Sequence, residues 1–406
     1  MKLLICSYHF PPFNVAASRR AHAWAKYLPE EGWRTTVLTV QHQGEPVAVP
    51  SDVIALELPQ GLSQDDPSMF WSLPAARTMK AAYHFAKGEF DYHVKSANDA
   101  TWEFLSEHLK NNKYDLMLAM YSPHYHIAHA HRAFKEFGLP FVVDFRDLFD
   151  NGLACDLPQK SNRTQFLNDI ILRKWKQWMS TSSGWCTVSE PLALKLQEWF
   201  NTEGACVLNG VDLEEYQSIP AIPNDKFTLL FSGSVATNHR MDLFLEAWEE
   251  FQEGKENVEM VIMGNLTHFT FFKEKFIEQF GKEPSVTLVS QVGRTEAIGR
   301  QKGASVLFCP NLEEMCGCYT TKIFEYLSSK NAMILAPSDK GVLENLFSKH
   351  DGCFVSSSRI ELLETIEMLH TKWASGEQVP YQRNLKELDR KHQAHVMSEY
   401  LRKVIQ

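Results

Sequence analysis

The segment CYTTKIFEYLSSKNAMILA, residues 318–336, contains the loop, helix and buried strand on which the fold prediction rests. Thr320 or Thr321 suits the start of a helix, because a hydroxyl there can accept a hydrogen bond from a free backbone N–H group. The apolar run that ends at Ala336 is continuous, as in a strand buried on both faces. The segment therefore predicts a helix that leads into an interior strand of a parallel α/β sheet.

Apolar runs of the same kind lie on both sides of this segment and alternate with helical patterns. In the second half of the chain they predict strands at Phe227–Ser232, Val258–Met263, Val286–Val292, Ser305–Cys309, Met333–Ala336 and Gly352–Ser356. In the first half they predict strands at Lys2–Tyr8, Thr35–Val40, Val53–Pro59, Tyr114–Met120, Phe141–Phe145 and Trp185–Ser189. The helical patterns include Ser18–Glu31, Ala97–Lys110, Ile127–Phe137, Met241–Gln252, Phe271–Phe280, Lys322–Ser329 and Ile360–His370. Alternation of this kind implies right-handed crossovers, so we predict an α/β protein with two Rossmann-like, doubly wound parallel sheets.

The stretch Gln217–Asp225, QSIPAIPND, has the proline content of a linker between the two sheets. We therefore expect one domain at residues 1–212 and a second at residues 213–380. Residues 381–406 are helical in pattern without a strand of their own, and we expect them to pack back across the junction and join the first domain. Doubly wound sheets bind ligands beyond the carboxyl ends of their strands. Two such domains facing each other across a cleft would place one ligand on each wall.

The bulk composition narrows the class of protein. A formal net charge of -9 argues against a nucleic-acid partner, which usually needs a basic excess. The 8 cysteines are scattered, and the N-terminal MKLLICSY is too short for the apolar region of a signal peptide. We therefore expect reduced thiols and a cytoplasmic location. Apolar runs also stay well below the roughly 20 residues of a membrane span.

The helix predicted after Thr321 carries charged side chains that suit a nucleotide. Lys322 and Glu325 share one face near its N-terminal end. Backbone N–H groups, the helix dipole and the Lys322 ammonium together favour a diphosphate there. The Glu325 carboxylate can accept two hydrogen bonds from a ribose diol. The alternative is a solvated Lys–Glu ion pair without a ligand.

Five blocks of the sequence resemble glycosyltransferase family 4 and related GT-B enzymes. KIFEYLSSKNAMILA is similar to the family's donor-nucleotide motif, and the other four blocks follow the family's order: SYHFPPFNVAASRRAHAWAKYLPEEGWRTTVLTV (7–40), FVVDFRDLFDN (141–151), CTVSEPLALKL with VLNGVDLEEY (186–196 and 207–216) and FSGSVATNHRMDLFLEAW (231–248). The DFRD and KxFEY blocks are similar to one bacterial subgroup. The resemblance implies a GT-B fold, with the acceptor bound by residues 1–212 and the nucleotide-sugar donor, UDP- or GDP-linked, by residues 213–380.

The resemblance also assigns donor-binding residues. In the Gly-rich loop, Gly233 and Ser234 would approach the diphosphate with backbone amides, and Gly233 can also be read as a plain turn residue. The family's Arg and Lys positions fall on Ser234 and His239, so the adjacent Arg240 would supply the counter-charge. The first of the family's two motif glutamates falls on Cys318. The full expected donor set is Gly233, Ser234, His239, Arg240, Thr320, Thr321, Lys322 and Glu325.

Acceptor-binding residues are expected at the ends of strands in the first domain. Ser18 can cap the first helix, and Arg19 follows it. In DFRD, Asp144 or Asp147 would orient an acceptor hydroxyl and Arg146 would hold a carboxylate or phosphate, although the three can also form a structural ion-pair cluster. Among the four histidines of YSPHYHIAHAH, His124 is the best candidate for the cleft. We expect a catalytic set of Arg240, Lys322, Asp144 and His124.

The resemblance implies transfer of a sugar to a hydroxyl group with retention of the anomeric configuration. A double displacement needs a carboxylate nucleophile, and none is evident, which favours a front-face reaction in which the leaving diphosphate helps to deprotonate the acceptor. We expect no metal and no cofactor besides the nucleotide sugar. The subgroup resemblance implies a glycan or lipid-linked acceptor in cell-surface polysaccharide or glycolipid synthesis. A nucleotide-sugar epimerase and a non-catalytic nucleotide-sugar-binding protein are the alternatives.

The segment MFWSLPAARTMKAAYHFAKGEF, residues 69–90, mixes aromatic residues with Arg77, Lys80 and Lys87. Aromatic residues beside cations suit the interface of an anionic bilayer. We expect a weak peripheral contact at the inner face of the membrane. The alternative is an ordinary helix with a buried aromatic stripe.

Overall fold

The computed structural model describes residues 1–13, 15–57, 95–149, 162–311, 317–377 and 380–406. Its strands are β1 Lys2–Cys6, β2 Arg34–Val40, β3 Asp52–Leu56, β4 Leu116–Tyr121, β5 Phe141–Phe145, β6 Gly184–Thr187, β7 Ala205–Cys206, β8 Phe227–Ser232, β9 Val258–Gly264, β10 Thr287–Ser290, β11 Val306–Pro310, β12 Ala332–Ala336 and β13 Cys353–Val355. Its α-helices are α1 Ala16–Tyr27, α2 Lys95–Asn111, α3 Tyr125–Phe137, α4 Asn162–Met179, α5 Glu190–Phe200, α6 Leu213–Ser218, α7 Met241–Phe251, α8 Phe269–Phe280, α9 Arg294–Gly303, α10 Thr321–Ser328, α11 Val342–Phe347, α12 Arg359–Ala374 and α13 Arg390–Ile405.

The strands form two parallel sheets, as predicted. The first sheet has the order β3-β2-β1-β4-β5-β6-β7, and the second has the order β10-β9-β8-β11-β12-β13. In both sheets the order reverses at a central strand, with β1 beside β4 and β8 beside β11. The chain is therefore an α/β protein with two doubly wound sheets, and ligands of such sheets bind where the strand order reverses.

The first sheet belongs to unit 1, which contains the described residues from Met1 to Asn209 together with Arg390–Gln406. The last helix, α13, contributes to the core of this unit. Its buried residues Ala394, Met397 and Leu401 pack in one cluster with residues of β1, β4 and α1. The Trp33 indole donates to Ser398 Oγ at 2.9 Å, which adds a buried polar contact. The C-terminal segment is thus an integral part of unit 1.

The second sheet belongs to unit 2, which contains the described residues from Gly210 to Asp389. The sequence places the boundaries at 212/213 and 380/381, whereas the contacts divide the chain at 209/210 and 389/390. The difference at the second boundary arises because residues 381–389 bind unit 2. Tyr381 N donates to Lys330 O at 2.9 Å, and the Arg383 guanidinium donates to Asn331 O at 2.6 Å.

The N-terminus of α1 corrects one prediction. Val15 is the N-cap residue, and Ser18 lies inside the helix instead of capping it. The pattern assigned to Ser18–Glu31 ends in a 3-10 helix, Leu28–Glu31, because Pro29 cannot continue the α-helical hydrogen bonding. The short strand β7 carries too little apolar sequence to be recognised.

Within the described part of the chain, no helix is both long and apolar enough to cross a membrane. The predicted interfacial segment, residues 69–90, lies outside the described residues.

Candidate functional site

Two glycines bring the carboxyl ends of β8 and β9 into backbone contact. Gly233 has φ +152° and its N–H donates to Met263 O at 2.8 Å. Gly264 has φ +131°, and a Cβ atom there would lie only 2.3 Å from Gly233 O. A side chain at Gly264 is excluded on both counts. The Gly233 N–H is therefore used to join the two strands, and the expected contact from this amide to a diphosphate is corrected.

Lys322 projects from the first turn of α10 against this turn. Its Nζ lies 4.0 Å from the centroid of the Phe231 ring. A Cβ atom on Gly233 would lie 3.1 Å from the same Nζ, which shows how closely the lysine and the glycine approach. Burial lowers the pKa of the Lys322 ammonium from 10.5 to about 8. Gly233 and Lys322, two of the expected donor residues, thus lie side by side, and a bound anion would raise the pKa of the amine again.

His239 lies beside Lys322 but does not supply a second cation. Its Nδ1 accepts a hydrogen bond from Ala236 N at 3.0 Å, and its ring meets Phe231 edge-on. Burial and the positive charge of Lys322 lower the pKa of His239 to about 3. The imidazole is neutral and shapes the loop.

Arg240 is the N-cap residue of α7, and its guanidinium is already paired. Nε donates to Asp242 Oδ1 at 3.1 Å and Nη2 donates to Oδ2 at 3.1 Å. Ser234, in the same loop, is exposed. A diphosphate would have to compete with Asp242 for Arg240, so Lys322 is the stronger candidate for the counter-charge.

The start of α10 is close to the predicted position. Thr320 is the N-cap residue with an extended backbone, and the helix begins at Thr321. The Thr320 hydroxyl makes no capping hydrogen bond, so the two threonines do not form the predicted side-chain cap.

Glu325 is buried and paired with an arginine that the sequence interpretation missed. The carboxylate is 9% exposed, and its Oε1 accepts from Arg294 Nη1 at 2.9 Å. The same guanidinium binds Glu215 through two further hydrogen bonds, with Nη2 to Oε2 at 2.7 Å. Arg294 precedes Glu325 by 31 residues in sequence, and no local pattern connects the two. The alternative of a solvated Lys322–Glu325 pair does not describe this buried carboxylate.

In unit 1, Asp144 forms a buried ion pair with Arg20. Arg20 Nε donates to Oδ2 at 2.7 Å and Nη2 donates to Oδ1 at 2.9 Å, while the Trp24 indole adds a third bond at 3.0 Å. The exposed fractions of the two side chains are 1% and 0%. Asp144 cannot reach an acceptor hydroxyl from this position, so the structural alternative applies and the catalytic assignment is corrected.

The other expected acceptor residues differ in accessibility. Ser18 is 1% exposed and its hydroxyl has no hydrogen-bond partner, so it cannot contact an acceptor. Arg19 is half-buried. Arg146 is 20% exposed and pairs with the exposed Asp147, while its buried Nε has no hydrogen-bond partner. Arg146 therefore keeps hydrogen-bonding capacity at the end of β5.

His124 lies after β4 with its tautomer fixed by a tryptophan. The Trp175 indole donates to His124 Nδ1 at 3.0 Å. Since an indole N–H only donates, a neutral His124 carries its proton on Nε2. The neighbouring His126 is a core residue, because its Nδ1 bonds to Met120 O and burial lowers its pKa to about 4.

His9, after β1, belongs to the same edge of the sheet as His124 and Arg146, because the carboxyl ends of parallel strands meet there. Its ring stacks on Phe13 at 5.7 Å, and Phe13 stacks on His42 at 4.7 Å. Burial lowers the pKa of His9 to about 3, and the Arg146 charge contributes. Sequence reasoning overlooked these rings, since their positions fall in a loop.

Among the described residues, no group of His, Cys, Asp and Glu side chains is arranged to hold a metal ion.

The match to a known protein family falls in unit 2. Residues 212–378 match the family model of glycosyl transferases group 1. This segment lies within unit 2 and contains Gly233, Lys322 and Glu325. None of the curated proteins matches the chain.

Solved structures resemble the whole chain at low sequence identity. Sucrose-phosphate synthase from Thermosynechococcus elongatus superposes with a TM-score of 0.66 at 14% identity, covering 100% of this chain and 99% of that one. Anabaena Alr3699/HepE in complex with UDP and glucose gives 0.61 at 13% identity, covering 99% and 100%. A putative UDP-N-acetylglucosamine 2-epimerase from Listeria monocytogenes gives 0.57 at 10% identity, covering 99% and 96%. These likenesses show the fold, two parallel-sheet α/β domains of the GT-B kind.

Proposed function

We propose that this protein is a glycosyltransferase that moves a sugar from a nucleoside diphosphate sugar to a hydroxyl group of an acceptor. The observation that supports this proposal is a group of residues in unit 2: the Gly233 turn, Lys322 and Glu325. We call this group the donor edge. These three residues lie inside the segment that matches the glycosyl transferases group 1 model.

The donor edge supplies the groups that a nucleoside diphosphate needs. Lys322, which lies against the Gly233 turn, would hold the diphosphate, assisted by the N–H groups at the start of α10. Glu325, one turn further along α10, would accept hydrogen bonds from the ribose. Two of the similar structures are complexes of Anabaena Alr3699/HepE with UDP and with UDP-glucose, which supports a UDP-linked donor, with a GDP-linked donor as the variant to test.

The proposed reaction retains the anomeric configuration by a front-face route. Asp144, with 0% exposure and both oxygens on Arg20, is removed as a nucleophile. The departing diphosphate would take the acceptor proton while Lys322 stabilises the charge that develops on it. Catalysis then depends on position and electrostatics.

His124 and Arg146 are the residues we propose for the acceptor. A neutral His124 with its proton on Nε2 would donate to an acceptor oxygen and orient it, instead of removing a proton. Arg146 would hold a carboxylate or phosphate of the acceptor. A glycan or lipid-linked acceptor of cell-surface polysaccharide or glycolipid synthesis, used at the inner face of the membrane, is consistent with these groups.

An epimerase is the second candidate, because a putative UDP-N-acetylglucosamine 2-epimerase is among the similar folds. A non-catalytic nucleotide-sugar-binding protein is the third, supported by Cys318 and Ser234 at positions where the family motif has charged residues. Incubation with radiolabelled UDP- and GDP-sugars and a cell-envelope lipid extract separates the three. Label in the lipid fraction supports transfer, an epimerised nucleotide sugar supports the second candidate, and binding without turnover supports the third.

Glu325→Ala is expected to raise the dissociation constant of the nucleotide sugar by removing a charge-assisted acceptor, worth about 1.5–3 kcal/mol. Folding should survive, since Arg294 keeps its two bonds to Glu215. Isothermal calorimetry measures the change, with Glu296→Ala as a control for loss of a half-exposed carboxylate from the neighbouring α9. An unchanged dissociation constant removes Glu325 from the donor site.

Salt-reversible binding to anionic vesicles is the expectation for residues 69–90. Each basic residue near an anionic surface contributes about 1 kcal/mol, so Arg77, Lys80 and Lys87 give only weak attachment. Replacing all three with Gln should abolish sedimentation with vesicles at low ionic strength. Equal sedimentation of the wild type and the triple variant argues for a contact elsewhere.

A further inference from the structure

Arg294 connects Glu325, the carboxylate proposed to bind the donor ribose, to α6, a helix with no proposed role in binding the nucleotide sugar. It is the first residue of α9, directly after the N-cap Gly293. Its Nη1 donates to Glu325 on α10, and its Nε and Nη2 donate to Glu215 on α6. The two carboxylates together raise the pKa of the guanidinium, which therefore stays charged. Arg294 is thus a fixed cation between two anions.

The helix that carries Glu215 is firmly attached to α9. The Tyr216 side chain is fully buried, and its hydroxyl donates to Gln301 Oε1 at 3.2 Å. Lys302 Nζ donates to Tyr216 O at 3.2 Å, and Ile222 N donates to Gly299 O at 2.8 Å. These contacts hold the backbone of Glu215 in place beside α9, so its carboxylate stays within reach of Arg294.

A carboxylate with one oxygen on a fixed guanidinium has a fixed plane. An ionised carboxylate has about four lone-pair positions, so Glu325 can accept from Arg294 and from ribose hydroxyls together. Without Arg294, the buried Glu325 would lose its positive partner and could turn about its last torsion, which is broad for Glu. The guanidinium thus holds the Glu325 carboxylate in one orientation.

We propose that Arg294 is a positioning residue that sets recognition of the donor ribose through Glu325, and that Glu215 holds Arg294 in place. This inference rests on the proposed donor-binding function. Neither Arg294 nor Glu215 contacts the ribose in this proposal; both act through the Glu325 carboxylate. The affinity of the protein for a ribonucleotide relative to its 2′-deoxy form should therefore depend on all three residues.

The test measures dissociation constants of UDP, 2′-deoxy-UDP, GDP and 2′-deoxy-GDP by isothermal calorimetry. A ratio between two ligands that differ by one hydroxyl cancels any general loss of affinity in a variant. The wild type should prefer one ribonucleotide over its deoxy form roughly tenfold or more, as expected for a hydrogen bond to a charged group. Arg294→Met should bring this ratio close to one, and Glu215→Gln should lower it. Arg294→Lys should keep part of the wild-type ratio, because an ammonium keeps the positive charge but lacks the planar set of N–H donors of a guanidinium.

Arg300→Gln is the matched control. It also removes an arginine of α9 that is paired with a glutamate, but this pair, Arg300 with Glu296, does not include Glu325. It should keep the wild-type ratio. Arg294→Met and Arg294→Lys variants that both keep the wild-type ratio would overturn the inference while the donor function stands, as would a wild type that binds UDP or GDP without discriminating against the deoxy form. A wild type that binds neither nucleotide would overturn the proposed function and this inference together.

Discussion

Replacing Asp144 with Asn is expected to lower the free energy of unfolding by about 3–5 kcal/mol, because it leaves the Arg20 charge buried without a counter-charge. Arg20 has 1% exposure and reaches no solvent that could compensate. Urea denaturation of the full chain measures the loss. The matched control is Asp147→Asn in the same DFRD motif. The Asp147 carboxylate is 62% exposed, so this change should lower the free energy of unfolding by less than about 1 kcal/mol.

This pair of variants also separates the two interpretations of the motif. A catalytic Asp144 would give a stable and inactive Asn variant. A structural Asp144 gives an unstable variant whose remaining folded fraction keeps its turnover. Equal stability of the Asp144 and Asp147 variants would contradict the buried ion pair.

Replacing Lys322 with Met is expected to cut the turnover number by roughly 10²–10³, the usual loss when one preorganised group that stabilises developing charge is removed. The melting temperature should hold or rise, since Met matches the aliphatic stem and the buried ammonium is a cost to the folded state without a ligand. Initial rates with saturating nucleotide sugar measure the effect. Lys349→Met, at an exposed position, controls for the charge change. Full activity of Lys322→Met would place the diphosphate elsewhere.

The pH dependence of the wild type follows from the same amine. Because the pKa of Lys322 is lowered from 10.5 to about 8 in the folded protein, the unfolded chain binds more protons between these values. The stability of the ligand-free protein therefore receives a positive contribution as pH rises from about 8 to 10.5. Diphosphate binding should follow the opposite course and weaken above pH 8, as the ammonium loses its proton. Lys322→Met should lack both slopes.

The fold was predictable because strands buried on both faces leave continuous apolar runs. Phe227–Ser232 was predicted with the observed bounds of β8, and the predicted ends of β12 and β5 also agree with the structure. The Gly233 turn and Lys322 were predictable for a related reason, since the glycine and the helix start are local signals. The strand β7 has two residues and leaves no such signal.

The site residues that escaped prediction have partners far away in sequence. Arg20 meets Asp144 across 124 residues, and Arg294 meets Glu215 across 79. A weak signal did exist for the first pair. Arg20 lies one helical turn before the buried Trp24, so it faces the core, where a cation needs a carboxylate. The neighbouring Arg19, which the sequence interpretation chose, lies on another face.

The return of the chain to unit 1 through α13 has a consequence for its synthesis on the ribosome. The described residues of unit 2 all lie between Gly210 and Asp389, so this unit can assemble its core as soon as that stretch has been made. Unit 1 is translated before unit 2 but completes its core after it. Met397 and Leu401 fill the core around β1, and the Trp33 indole has its partner Ser398 only once α13 has been made. Of the two units, the one that is translated first is therefore completed second, and its unfinished apolar face is the one that a chaperone would protect.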